Sequence, residues 1–95
     1  MKLQDMKKAV ASLRAERDNL HEELHALLAE DSITAGERNL RETAIRQRIK
    51  EINDECFPME VVTGKVRKIA KGVEMEPQEA EIYQQCVEAV GGVEL

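Results

Sequence analysis

Aromatic side chains are nearly missing from this chain. Phe57 and Tyr83 are the whole complement, 2% of 95 residues, and there is no Trp. A core without rings is built from Leu, Ile, Val, Met and Ala, which suits packed helices better than a β-sandwich. Cysteine is scarce too: Cys56 and Cys86 stand far apart and in no zinc-ligand spacing. They read as buried, reduced thiols, with a disulfide as the lesser alternative. No apolar run approaches the ~20 residues of a membrane span. Met1-Lys2-Leu3-Gln4-Asp5 opens a charged helix rather than a signal peptide. The expectation is a cytoplasmic protein with no membrane partner. At 95 residues it has room for one small domain, near the size where a single core is only marginally stabilising.

What is abundant is charge. Asp, Glu, Lys and Arg make up 35% of the residues, with a net charge of −5. Mixed signs at this density suit solvated helix faces, and the net charge repels nucleic-acid phosphates from the molecule as a whole. The distribution is uneven. Residues 57–75 carry four basic and two acidic side chains, whereas residues 76–95 carry five acidic and no basic ones.

The dominant pattern is a coiled-coil seam over residues 1–30. Leu3, Met6, Val10, Leu13, Arg17, Leu20, Leu24 and Leu27 alternate steps of three and four residues. Leu3, Val10, Arg17 and Leu24 take heptad position a; Met6, Leu13, Leu20 and Leu27 take position d. Such a stripe faces one partner helix along its whole length. Arg17 is the single polar member, a residue type that fixes register or packs its aliphatic stem while the guanidinium reaches outward.

The first helix is expected from Leu3 to Ala29. Asp31 to Gly36 breaks it, and Thr34 with Glu37 has the capping-box spacing that starts a second helix at Ala35. Ala44, Ile45, Ile49, Ile52 and Cys56 give that helix its stripe, with Leu40 slightly off it. Phe57-Pro58 is expected to end it near Glu55, because the residue before Pro is pushed out of the helical region. A third helix is read from Glu60 to Lys71 on Val62, Val66, Ile69 and Val73, capped by Gly72. A short strand over Val61-Val62-Thr63-Gly64 is the alternative. Pro77 opens a last helix, Gly91-Gly92 stops it, and Val93-Glu94-Leu95 reads as a frayed tail.

The expected fold is therefore all-α: a long antiparallel helical hairpin, coiled-coil-like, over residues 1–57. Two short helices over 58–95 pack against it in the same domain and do not fold independently. The first helix outruns its expected neighbours, so a monomer would leave part of the leucine seam wet, and homodimerisation through the hairpins is the simplest cover.

Three residue groups invite a chemical reading. His21-Glu22-Glu23-Leu24-His25 matches H-E-x-x-H, in which two His one helical turn apart bind zinc and the Glu serves as general base. The chain has no third His, and His21 and His25 fall at heptad positions e and b, toward solvent. At most they form a weak metal site with Asp18; no metal or other cofactor is expected. Lys65, Arg67, Lys68 and Lys71 form a basic helix face that could contact phosphates, but no aromatic is interleaved for base stacking. The turn glycine arrives too early for a helix-turn-helix. Thr63-Gly64-Lys65 lacks the rest of a phosphate-binding loop, and no nucleophile has a base beside it. An enzyme is not expected.

The leading expectation is a small protein–protein interaction module acting through the seam, as an adaptor or a stand-alone inhibitor of the kind phages use against host defences. The alternative is a nucleic-acid-associated regulator using the basic helix.

Overall fold

The computed structural model describes residues 1–70, 72 and 74–94, excepting the side chains of Arg67, Ile69 and Ala70. The described chain is all-α, with three helices: α1 (Leu3–Leu28), α2 (Ala35–Ala70) and α3 (Pro77–Ala89). No strand forms among the described residues, Val61 to Gly64 included; the only β-type pairing there is an isolated bridge between Lys2 and Glu94.

α1 follows from its composition of Leu, Ala, Glu and Arg, all good helix formers. The loop after it is tied locally. Ser32 donates its N–H and its hydroxyl to the Glu30 carboxylate at 3.2 and 2.6 Å, and Arg38 reaches back to the Glu30 carbonyl. Those bonds serve polar groups that the end of a helix leaves without intrahelical partners. Thr34 Oγ1 accepts the Glu37 N–H at 3.2 Å, which starts α2 at the expected cap.

The largest departure from expectation is α2. It does not end at Phe57-Pro58 but runs through Pro58 to Ala70, for 36 residues. The expected second and third helices are one, and α2 crosses position 57/58, where a division of the chain is expected. Pro58 has no N–H for the carbonyl of Asp54 and crowds the preceding turn, at a cost of about 3 kcal/mol in a helix interior. Ile52, Cys56, Met59 and Val62 are all buried on either side of it. Burying side chains of this size is worth roughly 1.5–3 kcal/mol each, so packing outweighs the local defect.

The length of α2 changes how the seam is covered. At about 1.5 Å per residue α2 spans ~54 Å, which accounts for the 56 Å long dimension of the molecule. Contacts of α1 residues 14, 17 and 30 fall on α2 residues 60, 53 and 38, the order of helices running in opposite directions. α1, at 26 residues, is the shorter of the two. The expected wet stretch of seam is therefore not found. Met6, Val10, Leu24 and Leu27 are buried, and Leu3, Leu13, Arg17 and Leu20 are half-buried, all within one chain.

α3 braces one end. Met6 and Val10 of α1, Met59 and Val62 of α2 and Cys86 of α3 form the buried core, with Leu3, Leu13, Val66, Tyr83 and Val90 around it. The tail is not frayed over its described part. Gly91 and Gly92 take φ of 78° and 92°, and the chain turns back. The Leu3 N–H then bonds the Glu94 carbonyl at 2.8 Å, and the Glu94 N–H bonds the Met1 carbonyl at 3.0 Å. Leu95, Lys71 and Val73 lie outside the described residues.

The result is an elongated molecule. Its radius of gyration is 17.6 Å, against ~12 Å for a compact domain of this length. Three helices meet at one end, and α1 and α2 alone reach the other. If packing carries α2 through Pro58, Pro58→Ala restores a ladder bond without removing a contact. It should raise the unfolding free energy by about 1–3 kcal/mol in urea titration. No gain, or a loss, would mean that the helix is broken there in solution.

Candidate functional site

Each face beside the seam has a row of residues spaced by seven. On one side these are Ala9, Glu16, Glu23 and Glu30 of α1, opposite Arg41, Arg48 and Val62 of α2. At the three-helix end Ala9 and Val62 belong to the core shared with Cys86 of α3, and Lys65 Nζ lies 3.1 Å from Glu79 Oε2. α3 thus covers this face at that end.

Further along, Glu16 and Arg48 bridge the two helices. Arg48 donates Nε to Glu16 Oε2 at 2.9 Å and Nη2 to Oε1 at 3.2 Å, a two-pronged bond. Hydrogen bonding to the Glu16 carboxylate pushes the Arg48 guanidinium above its ordinary value. Both side chains are more than two-fifths exposed, so this rung orients the helices more than it stabilises them.

Beyond that rung the face opens into a trough between the tips of α1 and α2, lined by Glu23, Ala26, Leu27, Glu30, Arg41, Ala44 and Ile45. Its floor is apolar. It stays open because Ala26 and Ala44, side chains one carbon long, sit where larger ones would fill the gap. Leu40, one helical turn before Ala44, stands at the edge with 76% of its surface exposed, the most of any large apolar residue described. Glu23 and Arg41 occupy opposite walls, and no ion pair joins them among the described residues. This trough was not legible as a site, since the signal is two small residues facing each other across helices whose register is unknown beforehand.

The structure brings the expected seam residues together along α2, as internal packing. Arg17 turns its guanidinium to Asn53, with Nη1 to Oδ1 at 2.9 Å. His21 and His25 are both exposed, as is Asp18. His21 borders a shallow groove with Leu24, Arg46, Ile49, Lys50, Asn53 and Asp54. No three His, Cys, Asp or Glu come together among the described residues in a group that could hold a metal. Of the basic face, Lys65 is engaged by Glu79 and Lys68 is exposed. Arg67 is placed only by its backbone, and Lys71 lies outside the described residues. Cys56 and Cys86 are free and buried, and burial pushes both thiols up, away from the reactive thiolate form. No described helix is long and apolar enough to cross a membrane.

Compared with known protein families, with curated proteins and with solved structures, the chain matches none.

The Lys65–Glu79 pair has a checkable pH signature. Hydrogen bonding to Lys65 holds the Glu79 carboxyl below the ordinary carboxylate range. A group with a depressed folded-state value stabilises above its unfolded value, and that stabilisation is lost as pH falls through the folded one. Glu79→Gln should therefore lower stability slightly at pH 7 and leave it unchanged near pH 3, by urea titration at each pH. A difference that persists at about pH 3 would contradict the ion pair.

Proposed function

We propose that this chain is a small helical interaction module, a helical hairpin braced at one end by α3, which works by protein–protein contact at its two-helix tip. One observation carries the reading: an open apolar trough, floored by Ala26, Leu27, Ala44 and Ile45, lies beside the exposed Leu40 where no third helix covers the hairpin. Exposed apolar surface walled by charge is what a docking face for an amphipathic helix requires. The leucine seam, engaged along α2, becomes the scaffold that presents this face. An adaptor or an inhibitor that occludes a partner's surface would use it alike.

The basic helix carries less. Lys65 is committed to Glu79, and Glu76, Glu79 and Glu81 surround that end with negative charge. Such a field repels phosphate.

The test places a carboxylate in the trough. Ala44 and Leu40 are exposed, so Ala44→Glu and Leu40→Glu should keep the helical circular dichroism of the parent. Immobilised parent chain, exposed to lysate of the cells that encode it, should retain a protein that both variants retain at least tenfold less, as expected for an uncompensated charge in an apolar contact. Equal retention by all three chains would remove the trough from the account.

A further inference from the structure

We propose that the trough takes a second copy of this chain, in a two-fold contact that sets α1 of each protomer against α2 of the other. The proposal rests on the trough being a docking face, and it names the occupant.

The argument begins with the walls. The α1 wall is acidic throughout its row, with Glu16, Glu23 and Glu30; the α2 wall is basic, with Arg41 and Arg48. Glu16 and Arg48 are bonded to each other, which fixes the level of the two helices at that point. Seven residues toward the tip on each helix, about 10 Å further along, come Glu23 and Arg41. They stand at one level, on opposite walls of the trough, and neither has an ion-pair partner among the described residues. The next rung of the ladder is present in the sequence but unmade in the chain.

Two copies can place their troughs face to face about a two-fold axis in either of two ways. With the axis across the arms, α1 lies over α1 and the Glu rows confront each other, which costs energy. With the axis along the arms, α1 lies over α2 of the other copy, tip beside tip. Because Glu23 and Arg41 share one level, each Glu23 then meets the other copy's Arg41, and both rungs close at once. The apolar floors meet between them, and the small Ala26 and Ala44 permit close approach of the helices. This is an isologous contact, in which one patch serves both sides. The charges select the pairing and the apolar floor supplies the attraction.

The test is a charge exchange read by sedimentation equilibrium. The parent chain should be a dimer of its 10.7 kDa protomer. Glu23→Arg and Arg41→Glu, each at an exposed position, should each weaken the dimer about tenfold or more, because both rungs become like-charged. An equimolar mixture of the two variants restores both rungs in the heterodimer, and should associate within about threefold of the parent. Pairing of Glu23 with Arg41 inside one chain gives no such rescue.

A parent that stays monomeric up to about 100 µM would overturn the second copy as occupant. So would a dimer indifferent to both exchanges, or a mixture no tighter than its components. None of these outcomes touches the docking face itself. That falls only if Ala44→Glu and Leu40→Glu retain the same proteins as the parent.

Discussion

Everything in this molecule depends on the apolar seam between α1 and α2. With almost no aromatic side chains, the chain has no large residue around which to gather a globular core. It uses length instead: a leucine stripe on α1 laid along a 36-residue helix. That contact sets the elongated shape and carries α2 through a proline. It also leaves one end of the molecule with only two layers of helix. α3 and the returning tail then close the other end, where Met6, Met59, Val62 and Cys86 meet.

The polar contacts are subordinate to that packing but not incidental. Arg14–Glu60, Arg17–Asn53 and Glu16–Arg48 all cross between α1 and α2 with exposed or partly exposed side chains. Pairs of this kind contribute little free energy, roughly 1 kcal/mol at most. Their value is in register, because each holds only at one alignment of the two helices. Arg17, the one charge in the seam, fits this role: it keeps its place in the stripe and sends its guanidinium to Asn53. The Glu23 and Arg41 walls extend the same ladder to a position where the chain itself does not complete it.

Much of the fold was legible in the sequence. The heptad steps from Leu3 to Leu27 locate α1, Thr34 with Glu37 marks the start of α2, and Pro77 and the paired glycines bound α3. Three features were not legible, and they share a cause. Pro58 is a local helix breaker, and only burial of Ile52, Cys56, Met59 and Val62 against distant residues outweighs it. The tail after Gly92 has no local reason to be ordered, and its bonds go to Met1 and Leu3 at the other end of the chain. Shortening α2 at Pro58 also made α1 look too long for its neighbours and turned attention to the seam as a contact surface. The trough at the tip depends on which residues of two helices face each other, and the sequence pattern of neither helix contains that.

The most direct test of the account is an isotope-filtered NOE experiment on an equal mixture of labelled and unlabelled chains. It separates methyl contacts within a chain from those between chains. Leu27 shares the tip trough with Ile45, and Leu24 shares a neighbouring groove with Ile49. Both pairs should give NOEs within the labelled chain and none in the filtered spectrum, since the seam is closed by the chain's own α2. Filtered NOEs between Leu24 and Ile49 would instead mean that the seam is shared between molecules, and would contradict the account.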